Sequence, residues 1–239
     1  MRTTLLALAL ATGCSTVSVA PPLVPEGGTR IYTGSVFGPE DEPMFRYTRD
    51  SEVDGESWTS THTSHSVADG QRVVAQAAEH DASYALNRYV EDHRQLGIRT
   101  EVVAKGPDTL VYTSHERGRV RHRNERLRAP AVTGPTLFGF VVTHWDQLRA
   151  GDEMPVQFVV AERRRSYAFT LKMAETADEH SVVTMRASSP LLRLSIPPLR
   201  MTFDSDTRAI IRYEGRIPPR WKGRAVDARV EYEHVAPYR

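Results

Sequence analysis

The stretch Thr133-Gly134-Pro135-Thr136-Leu137-Phe138-Gly139-Phe140-Val141-Val142-Thr143-His144-Trp145-Asp146-Gln147-Leu148-Arg149-Ala150-Gly151 decides the fold. Leu137, Phe138, Val141, Val142, Trp145 and Leu148 recur three and four residues apart, which sets them on one side of a 3.6-residue turn. Thr133 suits the cap, Pro135 the first turn, and Gly151 the left-handed residue that ends a helix. The spacing predicts one amphipathic helix over 135–149, the longest in the mature chain. Phe138 and Phe140 point in different directions, so one of them is expected to face away from what the other buries. A lone greasy helix between two β-rich halves packs into the concave face of a curved sheet. The expected fold is therefore mainly β, a curved antiparallel sheet or open barrel of meander type with one central amphipathic helix.

Working outward, the chain before the helix divides into strands at turn signals. Asp54-Gly55 and Asp69-Gly70 are tight-hairpin dipeptides, and Gly106-Pro107-Asp108 and Arg117-Gly118 are further turns. Between them lie Trp58–Val67, Gln71–Glu79, Ser83–His93, Ile98–Lys105 and Thr109–Ser114. Short turns joining successive strands make a meander and not a βαβ pattern. The run Ser57-Trp58-Thr59-Ser60-Thr61-His62-Thr63-Ser64-His65-Ser66 forms strands well yet has little to bury, so it is solvated or lines a wet cavity. After the helix come Pro155–Ala161, Ser166–Ala174 and Val182–Ala187, a short helical turn within 188–194, a hairpin of Arg200–Phe203 with Ala209–Tyr213, and a last strand over Ala225–His234.

The chain has 239 residues, 40% of them apolar and 26% charged, which is ordinary for a globular protein with a real core. Its formal charge is +1, and Arg2 falls in a segment expected to be removed, so a general nucleic-acid binder is not expected. Met1-Arg2 and the apolar run Leu5–Ala11 form a signal peptide, too short to cross a bilayer as a mature helix. It ends in Ala11-Thr12-Gly13-Cys14, which resembles the bacterial lipobox. Ala11 departs from the usual Leu of that motif. The resemblance implies lipidation at Cys14 and an N-terminal lipid anchor in the membrane on the periplasmic face; the alternative is an ordinary secretory signal in which Cys14 falls by chance. Ser15 following Cys14 favours the outer membrane over the inner. Cys14 is the only cysteine, so no internal disulfide forms. Residues 1–13 are thus a lipoprotein signal peptide, 14–29 a flexible tether rich in Pro and Gly, and 30–239 a single β-rich domain.

The line Trp145–Asp152, then Val156-Gln157-Phe158, then Arg163 through Phe169 resembles a group of uncharacterised exported bacterial β-proteins. Met201-Thr202-Phe203-Asp204 and Tyr213-Glu214-Gly215-Arg216 are similar to that group's final hairpin followed by Gly. The resemblance implies a fold and transfers no catalytic residue, since the group has no established reaction. A curved sheet with a helix in its mouth is also similar in architecture to the LolA and LolB lipoprotein carriers, a likeness of shape alone.

The motifs of chemistry are sparse. His62 and His65, three apart on a strand, point to opposite faces and do not share a metal ion. There is no nucleophile elbow and no glycine-rich phosphate loop, so neither an enzyme nor a cofactor is called for. Arg117, Arg119, Arg121 and Arg123 alternate, so a strand presents all four on one face. That face suits phosphate, which Arg grips with two parallel bonds, or else pairs with acidic neighbours such as Glu91, Asp92 and Glu101. Phe138, Val141, Val142, Trp145, Leu148, Phe158, Phe169 and Phe203 either line a pocket for a lipid or other hydrophobic ligand, or fill a core. Two functions follow. One is a lipid-anchored periplasmic protein binding a hydrophobic or amphiphilic ligand in its curved sheet. The other is an envelope assembly lipoprotein with a filled core and a protein partner.

Overall fold

Apart from one junction between the two halves, each described strand pairs with the next in sequence, because short turns leave a strand no neighbour nearer than the one it has just left. The computed structural model describes residues 29–54, 57–177, 179–194 and 196–234. The expected lipidation site Cys14, the signal peptide and the tether up to residue 28 lie outside them, as does Gly55. The strands of the first half are β1 (Thr29–Phe37), β2 (Pro43–Asp54), β3 (Ser57–Ser66), β4 (Arg72–His80), β5 (Leu86–His93), β6 (Ile98–Ala104), β7 (Thr109–Glu116) and β8 (Arg119–Arg126). Those of the second are β9 (Ala131–Val132), β10 (Met154–Val160), β11 (Arg165–Thr176), β12 (His180–Ala187), β13 (Leu199–Asp204), β14 (Ile210–Trp221) and β15 (Arg224–His234).

All belong to one sheet, in the order β8 to β1, then β15 to β9. The halves are sewn together by antiparallel pairing of β1 with β15, and only β9 with β10 runs parallel. The edge strands β8 and β9 are joined by residues 127–130 alone. Four extended residues reach at most about 14 Å, so the sheet must curl until its edges nearly meet. Side chains tack the seam. Glu125 of β8 accepts a 2.7 Å bond from the Ser166 amide of β11, and Gln157 Oε1 accepts from the Arg128 and Ala129 amides. The expected curved, open-barrel-like β fold is the one observed.

The helical segment differs from expectation in two ways. It is two helices, α1 (Gly134–Thr143) and α2 (Trp145–Arg149), broken at His144, whose φ −103° and ψ 20° leave the helical region. The His144 amide and its Nδ1 both bond the Phe140 carbonyl, at 3.2 and 2.9 Å, which fixes the residue at the break. Nor is α1 amphipathic: Pro135 to Val142 are all buried, including both Phe138 and Phe140. A helix threaded into a curled sheet is surrounded, so no face is left for water. The ends match the sequence. The Thr133 amide donates to Thr136 Oγ1 at 2.9 Å. Past α2, Gly151 takes φ +96°, its amide bonds Leu148 O, and the Asp152 amide bonds Gln147 O, a Schellman ending that only glycine adopts freely. Gly139 is required by contact instead, since a Cβ there would overlap the Tyr84 ring.

A short helix α3 (Pro190–Arg193) lies between β12 and β13. β14 runs well past the expected Tyr213 to Trp221, through Pro218 and Pro219, with its register against β15 shifted between Arg216 and Arg220. That irregular stretch tolerates the prolines.

Candidate functional site

Strand alternation sends every second side chain inward, and register then lines those side chains up across strands. Tyr32, Arg49, His62, Gln76, Glu91, Thr100, Ser114 and Arg121 stand opposite one another in turn, one from each of β1 to β8. Three neighbouring pairs of this row are bonded side chain to side chain. Arg49 donates to the Tyr32 hydroxyl at 3.1 Å, Gln76 Nε2 to Glu91 Oε2 at 2.7 Å, and Thr100 to Ser114 at 3.2 Å. Except for Arg121 its members are buried. The second half instead turns Phe169, Leu171, Met185, Leu199, Met201 and Phe203 into the core. The interior is therefore polar on one side and apolar on the other.

Between the two sides is a cavity of about 350 Å³, within the range of small-molecule pockets. His62, Ser64, Gln76, Glu91 and His93 form its polar wall, and Phe138, Phe158, Phe169, Met185, Leu199 and Val230 its apolar wall. Arg163, Arg216, Pro218 and Arg220 stand at its more exposed end. The two halves touch there: His93 Nε2 donates to the Pro218 carbonyl at 3.0 Å, and Gln95 exchanges two bonds with the Arg220 backbone.

The electrostatics of the polar wall are unusual for a core. Burial pushes the Glu91 carboxyl up, and bonds from Gln76 and Tyr89 only partly oppose this. Burial, then the nearby Arg49 charge, holds His62 well below the usual imidazole value, so it is neutral. Arg49 is 2% exposed and has no carboxylate within ion-pair distance among the described residues. Desolvation pulls its pKa down, but the Tyr32, Tyr84 and Tyr47 hydroxyls more than offset this and it stays charged. Buried polar atoms without a partner are rare and each calls for an explanation. Here they include Arg49 Nε, His62 Nε2 and His93 Nδ1.

Of the apolar residues singled out in the sequence, Phe138, Phe158 and Phe169 line this cavity. Val141, Val142, Trp145, Leu148 and Phe203 do not; they are buried in the core cluster around α1 and α2, where Trp145 meets Phe203 edge-on at 5.5 Å. Leu191 is 78% and Leu194 86% exposed, close in sequence to Ile196 on the cavity wall. The arginine series divides. Arg119, Arg121 and Arg123 share one face of edge strand β8, opposite Glu116, Ser114 and Tyr112, whereas Arg117 is in the turn with φ +48°. Among the described residues these arginines form no salt bridge. The acids expected to pair with them are engaged elsewhere: Glu101 with Arg88, Asp92 with Arg72 and Arg94, and Glu91 inside. His62 is buried and His65 is on the opposite face, as the strand period requires. Gln76, Glu91 and His93 did not stand out as site residues in the sequence. Their one signal was the alternation Tyr89, Glu91, His93 in a strand whose other face is also polar.

No family model and no curated protein matches the chain. Among solved structures it is similar to the crystal structure of a β-barrel-like protein of a domain of unknown function, DUF1849, from Brucella abortus. The TM-score is 0.50 at 9% identity, covering 86% of this chain and 95% of that one. At that identity the likeness concerns the fold alone. The comparison thus supports a mainly β protein on one large curved sheet, like a bacterial β-domain of unassigned function.

Proposed function

We propose that this protein is a lipid-anchored protein of the bacterial envelope that holds an amphiphilic ligand inside its curled sheet. The observation that carries it is the two-sided cavity, with aromatic and aliphatic side chains facing a wall of buried, incompletely bonded polar groups. Apolar cavities stay dry, while polar ones need partners. A space with both linings suits a molecule with both ends. The alternative, an assembly lipoprotein with a filled core, is less well supported because about 350 Å³ of that core is unfilled. Anchoring rests on the Ala11-Thr12-Gly13-Cys14 sequence, and the architectural analogy with the LolA and LolB carriers belongs to the same proposal. No enzymatic step is proposed.

The test is a titration of the full chain, carrying Cys14→Ser to keep it in aqueous solution, with the neutral dye N-phenylnaphthylamine. Saturable binding of one dye per chain is expected, displaced by a single-chain amphiphile. Fluorescence that rises without saturating, or that no amphiphile displaces, would overturn the proposal.

A further inference from the structure

We infer that the polar wall of the cavity is a subsite for an ammonium group, so that the ligand class is an amphiphilic amine. This rests on the proposal that the cavity takes an amphiphile and adds the identity of its head. Tyr89, Glu91 and His93 alternate along β5, so all three face inward. Glu91 receives two hydrogen bonds on the same oxygen: Oε2 accepts from Gln76 Nε2 at 2.7 Å and from the Tyr89 hydroxyl at 2.9 Å. Its Oε1 has no partner among the described residues. His93 donates from Nε2 to the Pro218 carbonyl, which leaves Nδ1 as a lone pair, and that atom is buried without a partner. His62 Nε2, across Gln76 from Glu91, is likewise unpaired. Glu91, His93 and His62 are 7%, 1% and 4% exposed. All three line the cavity.

Two of these open positions, Glu91 Oε1 and His93 Nδ1, are acceptors. Arg216 is neutralised by Asp227 at 2.7 Å, and Arg220 and Arg163 share the single carboxylate Glu162 at the exposed end of the cavity. Glu91 has no cation within ion-pair distance among the described residues. Arg49 stands three strands along the row, on the order of 14 Å along the sheet at ~4.8 Å per strand. An ammonium group offers three donors, no acceptor and the missing positive charge. A hydroxyl offers one donor, and a carboxylate offers none and is repelled. Phe158, Phe169, Met185 and Leu199 then take the alkyl chain.

The experiment displaces N-phenylnaphthylamine from the full-length Cys14→Ser chain with decylamine, decanol and decanoate, each below its micelle-forming concentration. Decylamine is expected to displace at about tenfold lower concentration than decanol, the size of one charge-assisted hydrogen bond, with decanoate weakest. In Glu91→Gln the advantage of decylamine over decanol should disappear. Decanol or decanoate equalling decylamine on the parent chain overturns the inference, as expected if the polar wall only holds water, and leaves the cavity proposal standing. Unchanged amine preference in Glu91→Gln overturns it as well. Should that variant fail to fold, the order of the three heads on the parent chain decides. No dye binding at all overturns both.

Discussion

Gln76 and Glu91 stand directly opposite each other on β4 and β5, and the Gln76 amide donates to the Glu91 carboxylate at 2.7 Å inside the sheet. Removing that donor leaves a buried carboxylate with Tyr89 as its one remaining partner among the described residues. Gln76→Leu is therefore expected to cost about 1–3 kcal/mol in a denaturant melt. A loss under about 0.5 kcal/mol would show that the row does not hold Glu91 in place.

His62 gives the stability a pH dependence. Its folded pKa is depressed, so below about 6.5 the unfolded chain binds a proton that the folded chain refuses. The associated stability is fully present above that pH and is lost as pH falls towards the depressed folded value. The limiting slope is about 1.4 kcal/mol per pH unit for one proton. His80, lowered chiefly by burial, acts in the same sense. Glu91, raised by burial, acts oppositely, losing stability as pH rises above the usual carboxylate range. The informative quantity is thus the difference between parent and His62→Gln. The parent should lose stability more steeply than the variant between about pH 6.5 and 5. Parallel curves would contradict the assignment.

Trp145 is 2% exposed and stands edge-on to Phe203, away from the cavity lining. Trp145→Ala should cost ~3–5 kcal/mol, with dye affinity in the surviving folded fraction unchanged. A Trp145→Ala chain of parental stability that lost dye binding would place the ligand beside the helix instead.

Cys14 separates anchoring from folding. Cys14→Ser should abolish uptake of labelled fatty acid and move the protein out of the membrane fraction, with its melting curve unchanged. Equal labelling and fractionation of the variant would rule out the anchor.

Much of the fold was legible because it rests on local signals. Thr133 and Gly151 mark the helical segment from its two ends, and Asp69-Gly70 turns a hairpin with Gly70 at φ +69°. The break at His144 was hidden, since the apolar spacing continues across it from Val142 to Trp145. The run of β14 through Pro218-Pro219 was hidden because prolines ordinarily end a strand, and only the shifted register beside Arg216 accommodates them. Half of the site's character was visible. The polar strand Ser57–Ser66 signalled a wet interior, and Phe138, Phe158 and Phe169 an apolar one. Gln76, Glu91 and His93 stayed out of sight because their meeting depends on how β3, β4 and β5 align, and period-2 alternation carries no register.

The most direct test of the central claim is to plug the cavity from its own wall. Val160 lines it on β10 and is only partly buried. Val160→Trp should fill the free space with a change in stability within about 1 kcal/mol, since the added ring enters unoccupied volume instead of a packed core. N-phenylnaphthylamine affinity measured beside the parent chain should then fall by about tenfold or more, a loss of at least ~1.4 kcal/mol. A folded Val160→Trp chain that binds the dye as tightly as the parent would contradict the account, because the ligand would then lie somewhere other than the cavity.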